Sequence, residues 1–594
     1  MRLRLNCAFI LTVILTSTGV FAQKAPLPNG HAPGEKDLFL EPRQERSSVN
    51  VITEPPTFDV RTMAEWEEIQ SLMITWSGFS SILKQITSAA RQECEVIIVA
   101  ENPSSVQSYL TSNNAGGSAF ADLENVTILQ DNYNSIWSRD YGAHTIYRDD
   151  VEEMMLVDWI YNRNRPDDNL VPVGIAEYFD VPLYSTTEAP WDLMATGGNF
   201  MSDGLGTAFS SELILEENEG GFAWSGTFYP DHSEVEIDNI MSEFMGIHTY
   251  IKMETLPYDG IHHIDMHMKL MDEETLLMGE YPTGVADGPQ IEANLEYVLS
   301  NYSSAFGTPY KVIRVQMPPE GNAYPNTNGA YRTYTNMVFV NKTVIIPTYQ
   351  ALYDTPALAI IQDALPGYNL VPIQCNDIIE LSGAIHCITK AIGVDDPLLI
   401  VHNDLEDTDD DLNPYPLEAM VKHTSGVSSA VLNYRLDGGD FTSLAMQLTD
   451  AEENIWSADI PAQAVGSQID YYIDATANNG KQLSRPIVAP EGFWTFNVTG
   501  APTSLEELNS EVLGSVYPNP ARAITAIPFS LPSAAQVSIE LQDMLGRTIQ
   551  ILEQGSFIAG ENKVFFDAAD FAQGAYLISL SSGQQVYTTK LMIQ

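Results

Sequence analysis

Cys387 lies in the run Leu381-Ser382-Gly383-Ala384-Ile385-His386-Cys387-Ile388-Thr389. Small residues ahead of a thiol give close access to the sulfur, and a neighbouring imidazole or helix N-terminus can lower its pKa from about 8.5 toward that of a nucleophile. A cysteine beside a histidine is also a common core arrangement, so this run alone leaves both readings open. In Ile261-His262-His263-Ile264-Asp265-Met266-His267, an extended backbone would put His263, Asp265 and His267 on one face. They could then ligate a divalent metal, or His263 and Asp265 could serve as acid/base and charge partner for a cation. Trp137-Ser138-Arg139-Asp140-Tyr141-Gly142 sets a carboxylate beside an aromatic wall, which suits a bidentate guanidinium unless Arg139 simply pairs with Asp140. Arg163 and Arg165 form a period-two pair able to meet one anion, the alternative being pairing with Asp167 and Asp168.

These segments need a scaffold, and the chain is long enough for several. At 594 residues, 44% hydrophobic and 18% charged, it reads as ordinary globular material divided among units. Residues 1–22 read as a signal peptide, with Arg2 and Arg4, an apolar stretch Ala8 to Leu15, and Val20-Phe21-Ala22 before Gln23. Residues 23–58 are rich in Pro, Gly and charge and read as a flexible leader or propeptide. Residues 59–395 alternate strand and helix: extended Ser71 to Trp76, helical Ser80 to Gln92, and strands Val96 to Ala100 and Val126 to Gln130. Further on come helix Ile291 to Ser300, strand Thr343 to Tyr349, helix Ala357 to Leu365 and strand Leu370 to Ile373. This is an α/β domain.

An acidic linker is expected over 396–411, where Asp404, Glu406, Asp407, Asp409, Asp410 and Asp411 could be a solvated loop or a structural calcium site. Short alternating segments over 412–500, such as Ala430 to Leu436 and Ile469 to Ala475, suggest an immunoglobulin-like β-sandwich. A second linker over 501–511 leads to an all-β unit over 512–594. Its Tyr517-Pro518-Asn519-Pro520, Val537 to Leu541, Leu545-Gly546-Arg547, Gly574-Ala575-Tyr576 and Thr589-Lys590 resemble the C-terminal sorting domain of the type IX secretion system. That resemblance implies the secretion machinery as a partner and a secreted or outer-surface location reached through the periplasm.

With 79 acidic against 28 basic residues the formal charge is -51, which leaves no clustered cations for a phosphate backbone and excludes nucleic acid as a partner. Such a field repels anions and gathers cations at a cleft, or serves only solubility. Cys7 leaves with the signal peptide, so Cys94, Cys375 and Cys387 are an odd set with at least one free thiol.

As an ordered set, Glu65-Trp66-Glu67, Trp137-Ser138-Arg139-Asp140, Gly197-Gly198-Asn199, His263-Ile264-Asp265, Tyr334-Thr335-Asn336 and Ile385-His386-Cys387-Ile388-Thr389 resemble the agmatine deiminase and bacterial-type peptidylarginine deiminase family over about residues 60 to 395. The resemblance implies a five-bladed α/β propeller (pentein) that needs no metal or cofactor. It implies Cys387 as nucleophile, His263 as general acid/base, Asp140 and Asp265 as the carboxylates gripping a guanidinium, and Asn336 as a polar residue beside the sulfur. Trp137, Arg163 and Arg165 are the expected substrate-binding residues. Trp159 to Asp168 resembles the peptidylarginine branch, and Thr196 departs from the agmatine pattern, in which a glutamate usually precedes the paired glycines. The expected activity is conversion of arginine, preferably at peptide C-termini, to citrulline. An exported agmatine or other small-guanidine deiminase is the alternative, followed by a cysteine peptidase using Cys387 and His263 or a non-catalytic adhesin.

Overall fold

The computed structural model describes residues 26–35, 51–220, 230–499, 512–517, 519–522, 524–531, 535–544, 546–582 and 585–593. The expected signal peptide, both sides of its cleavage site and the second linker lie outside these residues. Among the described residues, the first two-thirds of the chain builds five sheets on one plan. Each has an inner strand antiparallel to a middle strand, and the middle strand is parallel to an outer strand reached through a helix. The second to fourth sheets are Met201–Ser202, Thr207–Ser211, Thr249–Met253; Met268–Leu270, Thr275–Glu280, Lys311–Gln316; and Val338–Val340, Thr343–Thr348, Asn369–Gln374. The first is His144–Arg148, Met154–Tyr161 and Leu183–Thr186. In the fifth, the late strand Lys390–Gly393 pairs with the early strand Ile69–Thr75, which lies parallel to Glu95–Ala100 and is joined to it by the helix Ser80–Ala90.

The sequence accounts for this plan. Middle strands carry apolar runs buried on both faces, as parallel pairing covered by helices requires; Thr343–Thr348 is buried throughout. The crossover helices Ser80–Ala90, Val171–Phe179, Glu234–Met245, Gly288–Asn301 and Ala351–Ala364 each turn an apolar stripe inward. Glu234–Met245 opens on a Ser233/Glu236 capping box and ends at Gly246. There φ is +65°, and a Cβ would fall 1.9 Å from the Val60 carbonyl oxygen, so only glycine fits.

Order starts earlier than residue 59, the expected start of the α/β domain. Val51–Ile52 adds a parallel strand beside Leu183–Thr186, and residues 26–35 of the expected flexible leader are packed on the protein. The sandwich also starts earlier. Leu399–Val401, inside the expected linker, pairs with Tyr415–Lys422, whose alternating burial marks a half-buried strand. Two antiparallel sheets share a core around Leu417, Val421, Leu432, Tyr471 and Ile473. Their link to the α/β part is partly ionic: Arg485 donates to Glu273 at 2.8 Å, and Lys311 to Asp404 at 2.8 Å. The tail is all β, with Ala535–Asp543, Thr548–Phe557, Gly574–Ser582 and Gln585–Ile593 in one antiparallel sheet.

Candidate functional site

The repeated plan sets a turn just before each inner strand. These turns are Ser138–Tyr141, Gly197–Asn199, Ile264–Met266, the bend at Tyr334–Asn336, and His386–Ile388. Several pack against one another, so residues some 250 positions apart in sequence meet. Cys387, Asp140, Asp265 and Asn336 sit on these turns, His263 immediately precedes one, and all five are fully buried.

Asn336 donates to the Cys387 sulfur at 3.1 Å, while its Oδ1 accepts from the Ala384 and His386 amides at 3.1 and 3.0 Å, fixing the turn that carries the thiol. Asp265 Oδ2 is 3.5 Å from the sulfur and 2.7 Å from His386 Nδ1. Across the site, His263 Nδ1 is 3.6 Å from Asp140 Oδ1, and its Nε2 is 2.9 Å from the Thr196 hydroxyl. Asp140 Oδ1 accepts from the Gly198 amide at 3.2 Å. Asp140 Oδ2, Asp265 Oδ1 and His263 Nδ1 are buried with no hydrogen-bond partner among the described residues.

Gly197 and Gly198 are needed for this approach. A Cβ on Gly198 would meet His263 Nδ1 at 2.4 Å and Asp140 Oδ1 at 3.0 Å; one on Gly197 would meet the Arg139 carbonyl oxygen at 2.0 Å. Trp137 walls the Cys387 thiol: Gly383, lying between them, leaves room for a ring atom 2.4 Å and the sulfur 3.1 Å from where its Cβ would be.

The carboxylates are held in different states. Burial, then the neighbouring charge of Asp265, raises Asp140 to about 7. Burial also pushes Asp265 up, but the hydrogen bond and charge of His386 outweigh it and hold this carboxyl below its ordinary value. His386 has Nδ1 2.7 Å from Asp265 and Nε2 2.7 Å from Glu65, and two carboxylate partners call for two N–H donors. Burial and the Arg139 guanidinium oppose that charge, but the geometry fits the imidazolium. Glu65 also takes Lys269 and, at 3.1 Å, Arg139. Despite burial, the cations around it, His386 foremost, keep its carboxyl well below the usual range. Burial takes His263 down to about 3, so it is neutral. Burial, then Asp265 and Asp140, push the Cys387 thiol well up.

Sequence reasoning proposed the five central residues, and the fold brings them together. The strand expected over His263, Asp265 and His267 is not formed. His263 precedes a short 3-10 turn and His267 follows it, so the alternation that would align them is absent. Among the described residues no group of three or more His, Cys, Asp or Glu is arranged to hold a metal. In the acidic run, Asp404 meets Lys311, Asp407 accepts from the Asn497 amide and Asp410 from Leu412 and Asn413. Arg139 does not pair with Asp140, and Asp167 and Asp168 bind Asn134 and Ser135 rather than the two arginines. Glu65 and His386 were read only as parts of motifs, Thr196 only as a departure from one, and Lys269 was not singled out. Glu65, His386 and Lys269 link distant segments through their charges and Thr196 through a hydrogen bond, relations that spacing does not reveal. All three described cysteines are free and buried.

A family model described as Porphyromonas-type peptidyl-arginine deiminase matches residues 61–392, and one described as a secretion system C-terminal sorting domain matches residues 515–594. A Legionella pneumophila protein named provisionally as an agmatine deiminase is 26% identical over 279 residues, 45% of this chain and 74% of that protein. Two solved structures are similar in outline. A Porphyromonas gingivalis protein assigned provisionally as an arginine deiminase has a TM-score of 0.49 at 19% identity, over 56% of this chain and 98% of its own. The agmatine deiminase of Enterococcus faecalis has a TM-score of 0.48 at 18% identity, over 58% and 99%.

Proposed function

Since the chain belongs to the Porphyromonas-type peptidyl-arginine deiminase family, hydrolases of amidine carbon–nitrogen bonds, we propose that it converts arginine at the C-terminal end of peptides to citrulline and ammonia. The sorting tail takes the protein out of the cell, to the outer surface or the medium. The five sheets of 59–395 are read as the blades of a closed propeller, and the sheets of 399–498 as an immunoglobulin-like sandwich.

The observation that carries the reaction is the set of buried polar atoms without a hydrogen-bond partner among the described residues around the thiol, the acceptors Asp140 Oδ2 and Asp265 Oδ1 and the ring nitrogen His263 Nδ1. Carboxylates hold a guanidinium without giving it a proton. In the resting site two carboxylates oppose thiolate formation, and a bound cation between them reverses that field. Cys387 then passes its proton to neutral His263 and attacks the guanidinium carbon. Breaking one carbon–nitrogen bond releases ammonia, which takes the proton back from His263 and leaves a thiouronium on the sulfur. His263 next takes a proton from water, the hydroxide adds to the same carbon, and the carbon–sulfur bond breaks. The ureido product leaves as Cys387 regains a proton.

Arg163 and Arg165 favour a substrate bearing a carboxylate. Both are buried and close enough to Asp140 for their charges to act on its carboxyl, so we read them as one rim of the site, where Arg165 already holds a carboxylate at 2.8 Å. Agmatine has none. The names of the curated relatives favour agmatine as the second reading. Citrulline formation from a peptide ending in arginine, its C-terminally amidated form, and agmatine separates the two. The acid peptide is expected to react at least tenfold more efficiently than either, by loss of one charge-assisted contact of roughly 1.5–3 kcal/mol. Agmatine outpacing the acid peptide would overturn the proposal.

A further inference from the structure

The carboxylate on Arg165 belongs to the protein's own leader. Glu35 receives Arg165 Nε at 2.8 Å and Nη2 at 3.1 Å, a two-point contact of the kind a substrate carboxylate would make. The same guanidinium donates to the carbonyl oxygens of Pro28 at 2.8 Å and Gly30 at 3.0 Å. Arg163 donates to the Asn29 carbonyl at 3.1 Å, while the Asn29 amide donates to Leu381, in the run that carries Cys387, at 2.8 Å. Trp137 gives its indole N–H to Leu27 at 3.0 Å. Pro26 lies against Gly78, where an added Cβ would fall 2.7 Å from its ring.

Ten residues thus engage all three side chains expected to bind substrate. The contact is built rather than incidental. Asn29 and Glu35 are buried, and the Glu35 carboxylate turns back to accept the Ala32 amide at 2.6 Å, which holds it in a compact loop facing Arg165. Burial raises the Glu35 pKa, but Arg165 more than offsets this and leaves the carboxyl below its ordinary value, ionised for the pair. Residues 26–35, Pro-Leu-Pro-Asn-Gly-His-Ala-Pro-Gly-Glu, contain no arginine, so the segment can occupy the rim without being turned over.

We infer that residues 26–35 are a built-in inhibitor that covers the substrate-binding rim, with Glu35 standing in for the substrate carboxylate on Arg165, and that the enzyme becomes active when the leader is cut away. The inference rests on the proposed deiminase reading for what the rim binds. A segment tethered to its own site has an effective concentration on the order of millimolar. A contact with a dissociation constant of about 10 μM would therefore keep the rim about 99% covered and lower activity roughly a hundredfold.

The test uses the chain from Gln23 to Gln594 with a specific protease site in place of residues 41–47, so that Val51–Ile52 keeps its place after cutting. Two readouts are followed before cutting and after the released leader is washed out: alkylation of Cys387 by a small haloacetamidine, seen by intact mass, and ammonia release from agmatine and from a peptide ending in arginine. Both are expected to rise about a hundredfold. A synthetic peptide of residues 23–36 should restore inhibition in competition with the arginine peptide, and Glu35→Ala should raise the activity of the uncut chain. Equal alkylation and turnover before and after cutting would overturn the inference while leaving the deiminase reading intact. Faster alkylation after cutting, with no turnover of either substrate, would support the covering role and overturn the deiminase reading.

Discussion

Asp140→Asn isolates the charge proposed to bind the substrate cation. The amide oxygen can still accept from the Gly198 N–H, now at 3.2 Å, so the turn keeps its bond and loses only the charge. Removing one partner of a fully buried ion pair costs roughly 3–5 kcal/mol, which is two to nearly four orders of magnitude in kcat/KM. Because burial and Asp265 lift Asp140 to about 7, the parent should lose kcat/KM about tenfold per pH unit below that point as the carboxyl takes up its proton. Asp140→Asn should lack this limb. Stability should move the other way. The folded chain keeps a proton that the unfolded chain releases near pH 4, so this group lowers stability progressively from about pH 4 to 7, fully above 7. The substitution removes that cost, at most about 4 kcal/mol, and should raise the melting temperature above pH 7 while changing little near pH 4. Citrulline formation from pH 5.5 to 9 and thermal melts at the same values check both. Parent-level kcat/KM in the variant would refute the reasoning, as would a persisting limb near pH 7, which Glu217, raised by burial to about 7, would then explain.

Cys387→Ala should abolish ammonia release, whereas Cys94→Ser, at a thiol that burial raises to about 12, should leave it near the parent rate in the same assay. Gly198→Ala should lower kcat at least a hundredfold by displacing His263 from Asp140, with a folded circular dichroism spectrum retained. In protein freed of its leader, Arg165→Ala should cut kcat/KM on a peptide ending in arginine by about one to two orders of magnitude and leave agmatine turnover nearly unchanged. Equal losses on both substrates would remove Arg165 from carboxylate recognition. Truncation before Val512 should leave deiminase activity in protein made in a cytoplasm, since the tail has its own core around Ile527, Ile539 and Leu580.

Much of the α/β part was legible because buried parallel strands write themselves as apolar runs. Val126 to Gln130 coincides with its strand, and Thr343 to Tyr349 overshoots its own by one residue. The helix read over Ala357 to Leu365 starts six residues earlier in the structure, at Ala351. Pro356 lies in that first stretch, and most of its side chains are only partly buried or exposed, so apolar period gave little signal there. Cys387, His263, Asp140, Asp265 and Asn336 were legible through motifs, whereas His263 to His267 misled because alternation presumes a strand and this segment turns. The ion cluster of Glu65, His386, Lys269 and Arg139 draws on four separate segments, and no local pattern announces such a meeting. The docking of residues 26–35 was not legible for a related reason. The Pro and Gly content of these ten residues disfavours helix and sheet, but irregular backbone can still dock when its carbonyls find buried arginines, as those of Pro28, Asn29 and Gly30 do.

The pairing of Lys390–Gly393 with Ile69–Thr75 sets the order in which the enzyme can come into being. Ala391 lies opposite Leu72, across more than three hundred residues of intervening chain, and Cys387 immediately precedes that strand. Contacts so distant in sequence form late and slowly, because loop closure must come before any gain from them. During synthesis the proposed nucleophile, Cys387, is therefore among the last parts of the domain to arrive, and a chain that stops before residue 387 has no thiol at the site. It also leaves one edge of Ile69–Thr75, buried along nearly its whole length in the finished protein, without its neighbour. An unpaired apolar edge invites aggregation and proteolysis. On the proposed mechanism, catalytic competence thus reports completion of the domain, and fragments that end before residue 387 should be silent.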